Sequence, residues 1–252
     1  MQLEFHELAE TDHHILNPFS HDKLMLLGEI CDLSAGTQIL DLACGKGEML
    51  CQWAWKYSIQ GQGVDISAVF LAAARKRAEE LGVTERLTFV EGDASTYIVR
   101  PDPFDIVSCI GATWIGGGLV GTLELLKPAL KADGLMLIGE PYWIEEPPAA
   151  AYEALGVQPD DFTSLIGTFD RIESTGMELI EMVLSNQDDW DRYEAMQWQT
   201  VHNYLRAHPK DDKARAFWEW KVKDRRAYLQ YGRRYLGWGV FVLRQALKAP
   251  QA

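Results

Sequence analysis

The sequence predicts an α/β fold built on an open, mostly parallel β-sheet, and three observations support this. Short apolar segments alternate with amphipathic, helix-like segments from about residue 36 to residue 145. Glycine or an acidic residue ends nearly every apolar segment. The chain has 252 residues, 47% of them hydrophobic, which is enough to bury a large core. We therefore expect a sheet that is covered by helices on both faces.

The individual elements follow from these patterns. The first strand is predicted from Thr37 to Ala43, and a glycine turn leads from it into a helix from Glu48 to Tyr57. Ser20 and Ser67 are suited to cap further helices. The remaining strands are predicted at residues 61–66, 87–90, 104–110, 134–139, 177–184 and 238–243. The remaining core helices are predicted at residues 68–81, 123–130 and 162–173.

The same patterns suggest how the chain is organised. We predict a single domain over residues 1–252, with helices that cap it at residues 1–35 and a ligand-binding core at residues 36–145. Residues 188–235 are rich in Trp, Tyr and charged residues at helical spacing. Because strand patterns lie on both sides of this stretch, we predict a helical lid inserted between the last two strands.

Composition limits the class of partner. A formal net charge of −13 repels phosphate backbones and anionic lipid, so a small molecule is the expected partner, and nucleic acid or membrane is not. No apolar stretch reaches the roughly 20 residues of a membrane helix, and the N-terminus is too acidic for a signal peptide. We therefore expect a cytoplasmic protein.

Cysteine and histidine spacing argues against a metal site. The four cysteines form no C-x-x-C pair and no Cys/His group at zinc spacing, so we predict reduced thiols, no disulfide and no bound metal. His6, His13 and His14 could line a site near the N-terminus. His13 and His14 are adjacent and point apart, which argues against a shared metal ion.

Several acidic or glycine-rich stretches follow the predicted strands. In an open parallel sheet the carboxyl ends of the strands meet at one crevice. Residues 41–47, Asp65, Asp93 and residues 111–114 should therefore converge there. The two oxygens of the Asp65 carboxylate suit the paired hydroxyls of a ribose. Asp93 is placed to accept a hydrogen bond from an adenine amino group.

Four motifs occur in register: DLACGKG at 41–47, GVDIS at 63–67, EGDAS at 91–95 and FDIVSCIGATW at 104–114. In this respect the chain resembles the class I S-adenosylmethionine-dependent methyltransferases. It is most similar to a small-molecule branch that includes ubiquinone-type methyltransferases, cyclopropane-forming lipid enzymes and bacterial relatives of uncharacterised substrate. The resemblance implies a Rossmann-like three-layer sandwich with seven strands, the last of them antiparallel. It also implies methyl transfer from S-adenosylmethionine to an O, N, C or S atom of a small molecule.

The resemblance also implies roles for particular residues. The turn around Gly45 would let the backbone approach the methionine part of the cofactor, Asp65 would bind the ribose, and Ile66 would pack on adenine. Lys46 departs from the family pattern, and we expect it to point to solvent. The full set of positions implied to bind the cofactor is Asp41, Ala43, Gly45, Gly47, Asp65, Ile66, Asp93, Ala94, Cys109 and Ile110.

A dinucleotide cofactor is the main alternative, because it also binds a glycine turn and a ribose-binding acid. It needs a third glycine and a helix N-terminus that accepts a pyrophosphate. In residues 45–50 the third glycine is missing, and Glu48 would repel phosphate. The methionine-bearing cofactor is therefore favoured.

Candidate catalytic residues come from the loops after the strands and from the N-terminus. Glu140, Tyr142, His14 and His202 could contact the acceptor or remove a proton from it, although Glu140 is also explained as a helix cap or a solvated acid. Trp114 could shield the methyl group, and it is equally explained as part of the core.

The predicted lid leaves two interpretations open. Residues 206–234 carry ten Lys or Arg interleaved with aromatic residues. They could attract an aromatic acceptor that bears a carboxylate or phosphate, or form a solvated helix face. Single-stranded nucleic acid is a weaker possibility. At the level of function, the alternative to an enzyme is a non-catalytic protein that binds S-adenosylmethionine as a sensor or assembly partner.

Overall fold

The computed structural model describes residues 3–97 and 104–247, so residues 1 and 2 of the predicted cap lie outside the described residues. Its strands form one seven-stranded sheet in the order β3-β2-β1-β4-β5-β7-β6. β7 is antiparallel to β5 and β6, and the other pairs are parallel. The predicted fold class is confirmed. The strands are β1 Gln38–Leu42, β2 Gln60–Asp65, β3 Leu87–Glu91, β4 Phe104–Ile110, β5 Leu130–Trp143, β6 Met177–Leu184 and β7 Leu236–Gln245.

Helices cover both faces of the sheet. They are α1 Leu3–Ala9, α2 His21–Ile30, α3 Glu48–Tyr57, α4 Ala68–Glu80, α5 Leu119–Leu126, α6 Ala149–Leu155, α7 Leu165–Glu173, α8 Gln187–Ala207, α9 Ala214–Ala227 and α10 Arg233–Tyr235. Short 3-10 turns lie at Thr84–Arg86, Ala94–Thr96, Thr113–Gly116 and Lys127–Ala129, and a π-helical turn at Tyr228–Gly232. The predicted insertion of helices between the last two strands is confirmed by α8 to α10.

The caps predicted for two helices are present. The Ser20 hydroxyl accepts a hydrogen bond from the Lys23 amide at the start of α2, and the Ser67 hydroxyl accepts one from the Phe70 amide at the start of α4. These bonds satisfy amides that have no partner within the helix.

One helix is displaced from its prediction. α5 begins at Leu119 and ends at Leu126, whereas the prediction was residues 123–130. Gly117 and Gly118 adopt positive φ, so the chain reverses there and the helix starts directly after them. Pro128 then lies in a 3-10 turn, after which β5 begins at Leu130.

The core lies in two layers because successive strand residues face opposite sides of the sheet. On β1, Ile39 packs with Leu50 and Trp53 of α3, while Leu40 and Leu42 pack on the other side. A third, smaller cluster joins Ala9 of α1 to the inserted helices through Val201 and Phe217. The N-terminal segment and the insertion therefore pack against each other.

Neither a membrane-spanning helix nor a metal-binding group is found among the described residues. Not one of the described helices combines the length and hydrophobicity needed to span a bilayer. Within residues 3–97 and 104–247, no group of three His, Cys, Asp or Glu side chains is arranged to hold a metal ion.

The packing of α3 gives a first prediction. Trp53 is fully buried and its indole nitrogen donates to the Leu24 carbonyl at 3.1 Å, whereas Trp55, two residues later, is 59% exposed. We expect Trp53→Ala to lower the free energy of unfolding by about 3–5 kcal/mol, because it leaves a large cavity. Trp55→Ala should change it by less than about 0.5 kcal/mol. Urea denaturation of both variants measures the difference, and equal losses would contradict this packing.

A candidate active site at the carboxyl edge of the sheet

A cavity of about 930 Å³ runs along the carboxyl edge of the sheet. Its floor includes the ends of four strands, with Asp41 from β1, Asp65 from β2, Ile110 from β4 and Pro141 from β5. Residues 3–18, which we call the N-terminal strap, and helix α8 cover it from above. The predicted convergence of the strand ends on one crevice is therefore observed.

The glycine turn after β1 adopts left-handed backbone conformations. Ala43, Gly45 and Gly47 have φ values of 59°, 54° and 63°. A Cβ on Gly45 would lie 2.7 Å from Leu16 Cδ1, and one on Gly47 would lie 2.6 Å from Phe89 Cε1. A side chain at either glycine would be strained by the positive φ and would also displace Leu16 of the strap or Phe89 of β3.

Asp65 holds this turn in place. Its Oδ2 accepts from the Gly45 amide and its Oδ1 accepts from the Ser67 amide, both at 2.8 Å. The side chain is only 8% exposed, yet it lines the cavity. Each carboxylate oxygen has about two acceptor positions, so one per oxygen remains for a ligand. The two remaining acceptor positions, one on each oxygen, could receive hydrogen bonds from a pair of adjacent hydroxyls.

The end of the cavity beside β2 and β3 has the features of a base-binding site. Ile66 lines it and is 61% exposed, so it presents a bare apolar surface. Asp93 Oδ1 accepts from the Ser95 hydroxyl at 2.7 Å and from the Ser95 amide at 2.9 Å, which lowers the pKa of Asp93. The other oxygen of this ionised carboxylate is not used by these bonds. Ala94, His6 and Phe70 complete this end of the cavity.

Asp41 lies between the two ends of the cavity. Its carboxylate is 5% exposed and accepts from the Ser108 hydroxyl at 2.7 Å. Burial raises the pKa of Asp41 to about 7, and the nearby charge of Asp65 adds to this effect. The cavity floor thus contains one carboxyl group that titrates near neutrality.

Lys46 does not point to solvent, so that expectation was wrong. Its Nζ donates to the carbonyls of Glu10, Thr11 and His13 at 2.6, 2.8 and 2.8 Å. An ammonium group has three donors, so its hydrogen-bonding capacity is used entirely by the strap. The partners are backbone carbonyls, which carry no residue-type pattern that a sequence could reveal.

Two of the candidate catalytic residues line the cavity. His14 Nδ1 lies 3.8 Å from Glu48 Oε2, and the His14 side chain is 68% exposed. Trp114 follows β4 and is 74% exposed at the rim, so it is not part of the core.

Glu48, which the sequence predicts to repel a phosphate, is paired with other side chains. Arg77 donates to both of its oxygens, at 2.8 and 3.0 Å, and Gln52 donates at 2.6 Å. The expected repulsion between Glu48 and a phosphate is therefore weaker than predicted. Arg77 lies 29 residues further along the chain, and only the packing of α4 on α3 brings it to Glu48.

Glu140 and Tyr142 were expected at the mouth of the crevice, and the structure places both elsewhere. On β5 it is Pro141 that lines the cavity, so its two neighbours face the other side of the sheet. Glu140 is buried and accepts from the Thr113 hydroxyl at 2.6 Å; burial raises its pKa to about 7. Tyr142 packs in the core layer on that side.

Cys109 was expected to face the ligand, and it does not line the cavity, for the same reason. Ile110 lines the cavity, while Cys109, one residue earlier on β4, is fully buried in the opposite core layer. Alternation along the strand permits only one of the two side chains to face the ligand. His202 is exposed on α8 and does not line the cavity.

The basic, aromatic part of the insertion also lies away from the cavity. All of residues 206–234 are described, and none of them lines it. Arg233 pairs with Asp191 at 3.0 Å and Arg234 pairs with Glu145 at 2.5 Å. Arg225 and Arg226 line a separate surface depression. The prediction that these cations attract an anionic ligand is therefore not supported.

Sequence reasoning missed the aromatic residues at the other end of the cavity. This end lies over β4, β5 and β7, and is lined by Phe19, Trp190, Tyr193 and Trp238. Trp190 and Tyr193 were placed on a helix from their spacing, but the spacing does not say which element the helix covers. Only their position three residues apart, on one face of α8, could have indicated a shared surface.

A buried polar cluster fixes the strap to α8. Glu10 is fully buried, and its Oε1 accepts from the Tyr193 hydroxyl at 2.7 Å and from the Gln197 amide at 2.9 Å. Its Oε2 lies 3.0 Å from His13 Nδ1, and neither of these two atoms has another partner among the described residues. His13 Nε2 lies 3.1 Å from the Tyr193 carbonyl, an acceptor, so Nε2 carries a proton.

One proton must therefore lie between Glu10 and His13. Burial raises the pKa of Glu10 to about 7 and lowers the pKa of His13 to about 4. Both shifts favour the neutral forms, in which the Glu10 carboxylic acid donates to His13 Nδ1. The strap is thus held by a neutral acid–imidazole pair between about pH 4 and pH 7.

The parallel sheet, the glycine turn and the carboxylates at its carboxyl edge define a nucleotide-binding α/β protein. The chain belongs to the methyltransferase domain family, whose family model matches residues 33–207. Over 239 residues it is 45% identical to the uncharacterized protein YjhP of Escherichia coli strain K12, covering 94% of this chain and 96% of YjhP.

Two solved structures are similar over nearly their whole length. A methyltransferase from Geobacter sulfurreducens, crystallised with S-adenosyl-L-homocysteine, has a TM-score of 0.93 and 44% identity, covering 96% of this chain and 98% of that chain. A methyltransferase from Thiobacillus denitrificans, also with S-adenosyl-L-homocysteine, has a TM-score of 0.90 and 40% identity, covering 97% and 98%.

The Glu10 cluster gives a second prediction. Because the folded-state pKa of Glu10 lies above its ordinary value of about 4.5, the folded protein holds this proton more tightly, and the resulting stability is lost as pH rises from about 4.5 through 7. In Glu10→Gln the amide donates to His13 Nδ1 at every pH. We expect this variant to match wild type near pH 5 and to exceed its unfolding free energy by about 1–3 kcal/mol at pH 8.

Urea denaturation at both pH values measures this effect. Glu4→Gln is the control, because Glu4 lies on α1, just before Glu10 in the strap, and pairs with Lys213 at an exposed site. Its stability relative to wild type should not depend on pH. A Glu10→Gln variant that loses stability equally at pH 5 and pH 8 would contradict the neutral pair.

Proposed function

We propose that this chain transfers a methyl group from S-adenosylmethionine to a small-molecule acceptor bound in the same cavity. The observation that carries the proposal is the division of the cavity into a polar end with Asp65 and Asp93 and an aromatic end with Trp190 and Trp238. The complexes of the two similar methyltransferases with S-adenosyl-L-homocysteine support the choice of methyl donor.

The residues at the polar end fit this donor. Asp65 would accept hydrogen bonds from the ribose hydroxyls with the positions left free by Gly45 and Ser67. Ile66 would cover one face of the adenine, which would bury its exposed apolar surface. Asp93 and Ala94 would contact the edge of the base. The turn from Ala43 to Gly47 would carry the methionine part.

The bound cofactor supplies a methyl group on a positively charged sulfur, which is a good leaving group. The contribution of the chain is to orient the acceptor and to exclude water. The strap, fixed by Lys46 and Glu10, covers the glycine turn. Trp114, which is exposed at the rim, would cover the reacting atoms. Where the acceptor atom bears a proton, His14 beside Glu48 is the candidate base.

We place this activity in the cytoplasm. Cys31, Cys44, Cys51 and Cys109 are all free thiols, as expected in a reducing compartment. The net charge of −13 favours a small molecule over a nucleic acid as acceptor.

Binding of the donor gives a third prediction. Asp65→Ala removes the acceptors of two hydrogen bonds to a charged group, each contributing about 1.5–3 kcal/mol. We therefore expect its affinity for S-adenosylhomocysteine, measured by calorimetry, to fall by about 100-fold or more. Asp133→Ala, which changes an exposed acid before the buried part of β5, should bind as wild type does. Unchanged affinity in a folded Asp65→Ala variant would contradict the proposed donor site.

Turnover is tested with S-adenosylmethionine that carries an isotopic label in its methyl group. The protein is incubated with a fractionated extract of small molecules and, separately, with total RNA. We expect the label in a small molecule together with stoichiometric S-adenosylhomocysteine. Label in RNA would replace the proposal with a nucleic-acid methyltransferase. Binding of S-adenosylhomocysteine without transfer to either pool would instead favour a non-catalytic sensor.

A further inference from the structure

The aromatic end of the cavity has its own chemical character. We call it the acceptor end and define it by Phe19, Ile110, Ile115, Trp190, Tyr193 and Trp238. The Phe19 and Trp238 rings meet edge to face with centroids 5.3 Å apart, and the Trp190 and Tyr193 rings do so at 6.5 Å. These rings present flat apolar surfaces, which favour a ligand with a flat apolar body.

Most polar side-chain groups at this end already have partners within the protein; an exception is the indole Nε1 of Trp190, which is buried and has no partner among the described residues. The Asn17 amide nitrogen donates to the Ile110 carbonyl at 3.2 Å. The Tyr193 hydroxyl and the Gln197 amide nitrogen both donate to Glu10. A ligand that needed several hydrogen-bond donors would have to displace these bonds. The indole N–H of Trp190 is left over as an uncharged donor, which can bond a neutral oxygen or nitrogen of a ligand but brings no positive charge.

The cavity also lacks a free lysine or arginine side chain among the described residues that could pair with a negatively charged ligand. Within residues 3–97 and 104–247, no arginine lines the cavity, and Lys46 is the lysine that does. The three donors of Lys46 are occupied by carbonyls of the strap. The carboxyl groups of Asp41, Glu48, Asp65 and Asp93 line the same cavity. A carboxylate or phosphate on the ligand would lose its hydration without gaining a lysine or arginine partner from the protein, which costs several kcal/mol.

We propose that the methyl acceptor is an uncharged molecule with a flat, aromatic or similarly apolar body. This inference rests on the proposed methyl transfer and narrows its substrate class. A cavity of about 930 Å³ lies near the upper limit for a single drug-sized ligand, so it has room for the donor and a ring-sized acceptor together.

The transfer step is consistent with an uncharged acceptor. The lone pair of the acceptor atom forms the new bond to the methyl carbon, and the bond from that carbon to sulfur breaks with its electron pair going to sulfur. The positive charge passes from sulfur to the acceptor atom, and a proton on that atom then leaves to water or to His14. The total charge in the cavity is therefore unchanged until that proton leaves. Because the acceptor is uncharged when it binds, no anion has to lose its hydration.

A pair of matched probes tests this inference. 2-Naphthol and 6-hydroxy-2-naphthoate share the same two rings and hydroxyl group, and only the second is an anion at pH 7. Each is titrated by calorimetry into protein saturated with S-adenosylhomocysteine. We expect 2-naphthol to bind at least tenfold more tightly than 6-hydroxy-2-naphthoate.

A variant tests whether the preference arises in this cavity. Trp114→Lys places a cation at the exposed rim of the cavity, next in sequence to Ile115 of the acceptor end, where it should not disturb the core. We expect the preference for 2-naphthol to fall at least threefold or to reverse. Trp55→Lys introduces the same charge on an exposed residue that does not line the cavity, and it should leave the preference unchanged.

The outcomes are distinct. Equal or tighter binding of 6-hydroxy-2-naphthoate to the wild type overturns the inference. Binding of S-adenosylhomocysteine with no binding of either probe also overturns it, because a flat aromatic body is then not recognised. An equal response of the two lysine variants shows that the probes bind elsewhere and again overturns it. Failure to bind S-adenosylhomocysteine at all refutes instead the proposed function on which the inference rests.

Discussion

The carboxylate of Asp65 is the contact on which the arrangement of the site depends. By accepting from the amides of Gly45 and Ser67, it joins the turn after β1 to the start of α4, across the junction of two parallel strands. The turn has three residues with positive φ, and this contact holds it without help from a ligand. A group buried to this extent must be fully hydrogen-bonded, and a diol would complete the set. The protein thus builds its polar end before anything binds.

The cover of the cavity is held by a different kind of interaction. Lys46 gives all its hydrogen bonds to carbonyls of the strap, and Glu10 shares a proton with His13 while accepting from α8. These groups are removed from water, so an unmatched charge among them would be costly. The result connects the glycine turn, the strap and the insertion into one polar network. The aromatic acceptor end lies beside this network. Because the donors of Lys46, Tyr193 and Gln197 are already used within the network, they are not available to a ligand there.

Much of the fold could be predicted from the sequence, because alternating strands and helices, capping serines and glycine turns are local patterns. The same holds for the polar end, where Asp65, Ile66 and Asp93 lie at or just after the ends of strands and line the cavity as predicted. Roles that depend on which side of a strand a residue faces were not predictable, as Cys109 and Glu140 show, since an error of one residue reverses the side. The contacts of Lys46 and the make-up of the aromatic end were not predicted, because the residues involved come from distant segments of the chain. No local pattern encodes such contacts.

The two ends of the cavity are also encoded differently along the chain. The polar end is formed largely by one continuous stretch, from Asp41 to Ser95, whereas the acceptor end combines residues near positions 19, 110, 190 and 238. During evolution, substitutions at those scattered positions can change which compound is modified while the donor-binding stretch stays intact. Relatives that have diverged in this way will keep recognisable motifs and differ in biological role. Under the proposed function, comparing the residues equivalent to Phe19, Trp190 and Trp238 is therefore a better guide to shared substrates than overall sequence identity.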